Sequence, residues 1–303
     1  MGKRAFIFPG QGSQYVGMGR DLAASLPAAK RLFEQADEVL GVPLSRVCFE
    51  GPEEELRQTK NTQPAIYLHS LAVAAVLSDG RADMAAGHSL GEYSALVFAG
   101  ALSFEAGLNL VRLRGELMHQ AGIEQPGTMA AVIGLEGEAV AEVCAAAASA
   151  GIVQPANYNS PGQVVISGSV EGVRAAMEVA KQKGAKMVKE LSVSGAFHSP
   201  LMAPARAGLE RALASAEIRD ARIPVYANVT AEPVQDAGSI RRLLLEQLTM
   251  PVRWEQSVAR MAADGATEFV ELGPGKVLQG LVKRIVSGAA TRGFDTLKDL
   301  SGS

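Results

Sequence analysis

Residues 84–98 read MAAGHSLGEYSALVF. A short apolar run, predicted as a strand over Asp83–Ala86, meets Gly87-His88-Ser89-Leu90-Gly91, and a helix-forming run follows from Gly91 to Phe98. Gly87 to Gly91 fit G-x-S-x-G, the nucleophile elbow, in the strand-to-helix setting that the elbow requires. The glycines permit a sharp turn that lifts the Ser89 hydroxyl to the edge of a sheet. At the start of the following helix, the Leu90 N–H would point toward a developing oxyanion. The plainer alternative is that Ser89 caps a helix.

Outward from this segment, helical and strand signals alternate, which predicts an α/β fold with a largely parallel sheet. Ala5–Phe8 reads as a strand, and Pro27–Leu40 and Gln63–Leu77 as helices. A helix is predicted from Ser103, a plausible N-cap, to Gln120. The rhythm then changes. Strands at Met129–Ile133, Val153–Tyr158, Gln163–Ser167 and Met187–Val193 enclose helices at Gly137–Ala150 and Val170–Lys183, with a turn at Asn159-Ser160-Pro161-Gly162. That order, β-α-β-β-α-β, is ferredoxin-like. The first pattern resumes with a helix near Ala205–Ala216, a strand at Ile223–Val229 and helices near Ile240–Leu248 and Glu255–Ala263. A strand at Glu268–Leu272 and a helix from Lys276 to Val286 complete it. The expected fold is therefore α/β, with an α/β-hydrolase-like large subdomain (1–125 and 195–303) whose sheet is mostly parallel. A ferredoxin-like small subdomain (126–194) is inserted in it. Lack of order is expected only for a few C-terminal residues.

The chain has 303 residues, 48% hydrophobic and 20% charged, with a formal net charge of −3. The charge gives no support for nucleic-acid binding, which favours basic domains. Cys48 and Cys144 stand far apart, in no metal-ligand or disulfide pattern, and read as reduced core residues. The four-residue apolar run before Pro9 is too short for a signal peptide, and no stretch is long enough to span a membrane. The expected location is the cytoplasm.

A second glycine-rich turn, Phe6–Gln14 (FIFPGQGSQ), resembles a nucleotide loop but fails the templates. Tyr15 occupies the third glycine position of G-x-G-x-x-G, and no Lys follows Gly12, Gly17 or Gly19 as a P-loop needs. Glycine-turned N–H groups suit an oxyanion as well as a phosphate.

A serine nucleophile needs a base, and the chain has four histidines. His69 lies in an apolar helical run, and His119 ends a predicted helix, where a cation suits the dipole. His88 adjoins Ser89 on a tight turn, from which neighbouring side chains diverge. His198, in Gly195-Ala196-Phe197-His198-Ser199-Pro200, follows a predicted strand in loop context, where α/β proteins gather reactive groups. It is the candidate base, against the alternative of a satisfied loop histidine. No third member stands out. Asp236 and Asp264 are possible, and a backbone carbonyl could orient the imidazole equally well.

GQGSQ (10–14), NTQPA (61–65), GHSLGEY (87–93), RGELM (114–118), ANYNSPGQ (156–163), GAFHSP (195–200), QLTMPVRW (247–254) and ELGPGKVL (271–278) follow one another in order. Together they closely resemble the malonyl-CoA:acyl carrier protein transacylase family of bacterial type II fatty acid synthases, over almost the whole chain. The resemblance implies that Ser89 takes the acyl group as an ester with His198 as its base. It implies that the Gln247 main-chain carbonyl orients His198, and that the Gln11 and Leu90 N–H groups form the oxyanion hole. Arg114 would bind the malonyl carboxylate, a role that suits its planar two-pronged fork; neighbouring Arg112 reads as a surface ion pair. Phe197 goes with malonyl in this family, where a Ser in its place goes with methylmalonyl. Met118, Asn157, Asn159 and Gln63 match positions at or supporting the substrate site. Lys283 and Arg284 match a basic patch offered to the carrier protein, though a solvated charged face reads nearly as well.

The implied partners are malonyl-CoA and acyl carrier protein, with no nucleic acid and no membrane, and a monomer is expected. No metal or cofactor is expected; malonyl-CoA and CoA are substrate and product. Rival readings are a serine thioesterase or hydrolase, a discrete acyltransferase serving a polyketide synthase, and a carrier-binding protein with a dead site.

Overall fold

The computed structural model describes residues 2–77 and 80–300. The C-terminal residues expected to lack order end the chain, and 301–303 lie outside the described residues. Ten strands are present among the described residues: β1 (Lys3–Phe8), β2 (Met84–Gly87), β3 (Thr128–Ile133), β4 (Val153–Ser160), β5 (Gln163–Gly168), β6 (Met187–Glu190), β7 (Val225–Tyr226), β8 (Pro233–Val234), β9 (Ala266–Leu272) and β10 (Ala290–Phe294). They form two sheets. The first has the order β10-β9-β1-β2-β7-β8 and the second β4-β5-β3-β6.

In the first sheet every pairing is parallel except β7 with β8. Its central strand, FIF in β1, is buried on both faces, as a parallel sheet covered by helices requires. One face packs against helices Thr59–Val76 and Gly91–Phe98 in the main core. The other carries Ile7 and Phe269 in a second cluster with Trp254, Val258 and Leu281 of the covering helices. The second sheet is antiparallel and is drawn wholly from residues 128–190. Its strand order is ferredoxin-like, and helices Gly137–Ala147 and Val170–Gln182 cover it through a separate apolar core around Val132, Val140, Ile166 and Val173.

Parallel pairing is what sets up the site. Phe8 pairs with Gly87 at the C-terminal ends of β1 and β2, and Leu272 pairs with Phe294 at the ends of β9 and β10. The loops after β1, β2, β7 and β9 therefore leave along one edge, the edge at which open α/β sheets bind ligands. The second sheet meets that edge through β4. Tyr158 N–H donates to the Val252 carbonyl at 2.9 Å, and Val252 N–H to the Ala156 carbonyl at 2.8 Å.

Several elements differ from expectation. Helix Thr59–Val76 begins four residues before the expected Gln63 and carries Pro64 at its sixth position, where the missing N–H frees the Lys60 carbonyl, which accepts from Arg112 Nη1 at 3.1 Å instead. The helix of Ser103 runs over Phe104–Glu124, so His119 lies within it rather than at its end, and the dipole argument for it fails. β4 extends to Ser160, which leaves Pro161 and Gly162 as the turn. The expected strand Ile223–Val229 forms a ladder only at Val225–Tyr226. β10 and the short helices Leu44–Glu50 and Glu53–Arg57 were not anticipated.

Candidate active site

Ser89 sits at the strand-to-helix turn after β2 with φ 52°, in the left-handed region that a non-glycine residue rarely occupies. The turn closes only because its flanks lack side chains: a Cβ on Gly91 would meet the Phe8 carbonyl oxygen at 2.2 Å. Two neighbours hold the strained residue. Ser89 N–H donates to Asn228 Oδ1 at 2.7 Å, and Gln247 Nε2 donates to the Ser89 carbonyl at 3.0 Å. Asn228 is itself fixed, its Nδ2 donating to the Gly87 carbonyl at 2.7 Å.

His198 lies 2.8 Å from Ser89 Oγ through Nε2, and its Nδ1 lies 2.8 Å from the Gln247 carbonyl. With Nδ1 donating to that carbonyl, Nε2 is left as the acceptor for the serine hydroxyl proton. Neither Asp236 nor Asp264 reaches it: Asp236 caps helix Ala237–Glu246 and Asp264 accepts from Tyr226 and Arg260. His198 also has a left-handed backbone, φ 58°. Gln154 of β4 secures it, donating from Nε2 to the His198 carbonyl at 2.8 Å and to the Thr249 carbonyl at 3.0 Å. Burial, then the Arg114 charge, draw the His198 pKa down to about 3, against the hydrogen bond to Gln247. The imidazole is thus a neutral acceptor across the physiological range.

Arg114 reaches the same hydroxyl from helix Phe104–Glu124. That helix crosses Thr59–Val76 closely at Gly115, where a Cβ would meet the Thr59 carbonyl oxygen at 2.8 Å. The close crossing sets Arg114 beside Gln63: Nη1 donates to Gln63 Oε1 at 2.7 Å, and Nη2 to Ser89 Oγ at 3.1 Å and Gln247 Oε1 at 3.0 Å. The guanidinium is buried over the Tyr93 ring, and its Nε has no hydrogen-bond partner. Burial lowers its pKa, but an Arg side chain stays charged in proteins. A buried cation with unused donors facing a cavity is a site for a carboxylate. Arg112 is the surface pair expected, with Nε 2.6 Å from Glu116 Oε1.

The cavity above Ser89 encloses roughly 260 Å³. Gln11, Gln63, Leu90, Arg114, Met118, Asn157, Asn159, Phe197 and His198 all line it, as do Leu191, Val193 and Leu281, while Gln247 stands behind the wall. Among the described residues, no hydrogen bond from the Gln11 or Leu90 N–H to a protein acceptor is found, and both residues line the cavity that holds Ser89. Asn159 Oδ1 lies 2.8 Å from His88 Nε2, which turns His88 away from the serine and against Trp254. Lys283 and Arg284 do not line the cavity. Both are exposed on helix Val277–Ile285, where Arg284 Nη1 donates to Gln163 Oε1 at 2.6 Å, and Gln163 is a lining residue.

Sequence reasoning missed Glu92, Asn228, Gln154 and the side chain of Gln247. Glu92 falls inside the recognised GHSLGEY segment, which was its one signal. Asn228 and Gln154 act through hydrogen bonds to residues distant in sequence, which no local pattern announces.

Comparison with known proteins agrees with this geometry. The profile of the family described as "Acyl transferase domain" matches residues 5–292. The malonyl CoA-acyl carrier protein transacylase of Bacillus subtilis is 50% identical over 288 residues, covering 94% of this chain and 91% of its own. An acyl carrier protein S-malonyltransferase from Vibrio cholerae superposes with a TM-score of 0.95 at 45% identity, over 99% of both chains. A malonyl-transacylase solved in complex with a type II PKS acyl-carrier protein superposes at 0.94 with 42% identity, over 99% of this chain and 98% of its own. The chain therefore belongs to the acyl transferase domain family, among the malonyl CoA-acyl carrier protein transacylases.

Proposed function

We propose that this protein moves a malonyl group from malonyl-CoA to the phosphopantetheine thiol of an acyl carrier protein by way of a malonyl-Ser89 ester. The observation that carries the reading is the position of the Ser89 hydroxyl, 2.8 Å from the His198 acceptor nitrogen and 3.1 Å from the Arg114 guanidinium. A nucleophile and base alone would suit any acyl group. The buried cation beside them favours one that ends in a carboxylate.

His198 removes the Ser89 proton as Oγ attacks the thioester carbonyl carbon. The tetrahedral oxyanion is held by the Gln11 and Leu90 N–H groups, and the His198 proton passes to the departing coenzyme A sulfur. The carrier thiol repeats the steps in reverse order, which makes the reaction ping-pong. The Gln247 carbonyl keeps His198 in the working tautomer. Phe197 narrows the cavity against a branched acyl group; Gln63 orients Arg114; and Met118, Asn157 and Asn159 bound the acyl chain. Lys283 and Arg284 face an acidic carrier at the mouth. The steps need no metal or redox cofactor, and the reading is of a monomer acting in the cytoplasm to supply fatty acid synthesis. A carrier of a type II polyketide synthase is the second reading, favoured by the carrier complex of the 42%-identical transacylase.

Intact mass spectrometry after mixing with malonyl-CoA, followed by a chase with carrier protein, tests the reading. A malonyl adduct should form, pass to the carrier rather than to water, and be absent from Ser89→Ala. Release of free malonate at the turnover rate would instead identify a hydrolase. An adduct surviving in Ser89→Ala would mean a different nucleophile.

A further inference from the structure

Glu92, on helix Gly91–Phe98, is 2% exposed. Its Oε2 accepts the Asn228 N–H at 2.9 Å and Gln247 Nε2 at 2.8 Å. The other end of the same amide, Gln247 Oε1, accepts from Arg114 at 3.0 Å. A neutral amide thus stands between a buried carboxylate and a buried guanidinium. Among the described residues Arg114 has no carboxylate in contact; its donors go to Gln63, Ser89 and Gln247.

That spacing has a chemical consequence. A direct pair with Glu92 would occupy the fork that a substrate carboxylate needs. Held one amide away, Glu92 leaves the fork to the neutral acceptors Gln63, Ser89 and Gln247, which a carboxylate can displace, yet shares its charge. An acyl group ending in a carboxylate then brings a second anion to one cation in a site closed to water. Two carboxylates in such a place disfavour each other's ionised forms. We infer that Glu92 sets the charge balance of the acyl pocket: through the Gln247 amide it faces Arg114 as an anion in the free protein, and it takes up a proton when a carboxylate-bearing acyl group occupies Arg114. It is a specificity-determining residue that acts through Gln247 and Arg114, and the inference rests on the malonyl-Ser89 reading above.

Burial already holds the Glu92 pKa up at about 7, against its two hydrogen bonds and the Arg114 charge. The groups facing it are Arg114 and, on its own helix, Tyr93, whose phenol burial keeps neutral. Asn228 and Gln247, from the loops after β7 and before Trp254, carry no charge. On the other elements packed against this helix, Tyr67 and His69 of helix Thr59–Val76 and Tyr226 of β7 are held neutral. Lys3 and Arg4 lie at the far end of β1, and Arg112 of the Arg114 helix is paired with Glu116.

Acylation forms the Oγ–carbonyl bond, breaks the carbon–sulfur bond and sends the Ser89 proton to sulfur, so the transfer itself draws no proton from solvent. Proton uptake therefore reports a separate group. The full chain is mixed with stoichiometric malonyl-CoA or acetyl-CoA at pH 7.5 in weak buffer with an indicator dye, and the adduct is counted by intact mass. The expected result is uptake of a fraction of a proton per malonyl-serine, none per acetyl-serine, and none in Glu92→Gln, which keeps an oxygen acceptor for both donors. Above the Glu92 ionisation, the KM for malonyl-CoA relative to acetyl-CoA should rise by up to roughly tenfold per pH unit. The same ratio should stay flat in Glu92→Gln. Malonyl adduct without uptake, or equal uptake for both acyl groups, overturns the inference; absence of any adduct overturns the malonyl-serine reading instead. Should Glu92→Gln fail to fold, the malonyl and acetyl comparison in the unaltered chain decides alone.

Discussion

Ser89 and His198 both hold left-handed backbone angles, and each such residue costs on the order of 1–3 kcal/mol. The side-chain hydrogen bonds from Asn228, Gln247 and Gln154 to these two residues, at about 1 kcal/mol each, offset that strain. Ser89 and His198 are thus held in place at the backbone as well as through their mutual contact. Arg114 differs, since all its hydrogen-bond acceptors are neutral and Glu92 stands one amide away. Arg114→Ala should lower malonyl transfer relative to acetyl transfer by roughly 30-fold to a few thousandfold, the equivalent of about 2–5 kcal/mol for truncating a buried charge partner. The same change should raise the His198 pKa, because Arg114 is the second cause of its depression. Steady-state kinetics with both thioesters and a histidine NMR titration read the two effects, and equal losses for the two acyl groups would refute the clamp. Ser89 and His198 were legible in the sequence because motif and loop context mark them, and Arg114 was legible only through the resemblance of RGELM to its family. The residues that hold them were not, since Asn228 reaches Ser89 across 139 positions and Gln154 reaches His198 across 44.

Among the elements, β4 does more than complete the second sheet. It brings Gln154 to two loops of the other layer, one carrying His198 and one leading from Gln247. Gln154→Ala removes both bonds and should cost about 1–3 kcal/mol of stability. Because the loss acts on His198, the proposed base, it should lower kcat for malonyl and acetyl transfer alike, unlike Arg114→Ala. Kinetics with both substrates check this, and a loss confined to malonyl would contradict it. The long alternating elements were readable from their periods, as with helix Pro27–Leu40 and β5. β10 was not: its ATRGF pattern is half-polar, and it forms only as the partner of β9 at a sheet edge. Helix Glu53–Arg57 escaped notice because five residues after a proline carry no period.

For the molecule as a whole, buried titratable groups pull in opposite directions. His69, His88 and His198 are all held neutral, chiefly by burial, below their ordinary pKa. As pH falls below about 6.5 the unfolded chain gains protons that the folded chain refuses, so these groups reduce stability. Burial raises Glu92 and Glu271 to about 7. Between about 7 and 4.5 the folded chain binds protons there that the unfolded chain does not, which adds stability as pH falls. Each unbalanced proton changes stability by about 1.4 kcal/mol per pH unit. Urea unfolding should therefore show a shallow decline from pH 6.5 to about 4.5 and a steeper one below, where the glutamates no longer compensate. A steep fall starting at pH 6.5 would mean that the two carboxyls ionise normally.

The cavity over Ser89, at roughly 260 Å³, has room for an acyl group and the thiol end of its carrier but not for the whole of coenzyme A. On the proposed chemistry the nucleotide of one donor and the folded body of the next acceptor both stay outside. Only the slender arm that the two have in common passes the mouth. One opening can then receive a small molecule and a protein in turn, because the deep site reads the cargo and the tether while the rim alone distinguishes the bearer. Changes at the rim should thus alter which carrier is served without altering which acyl group is delivered.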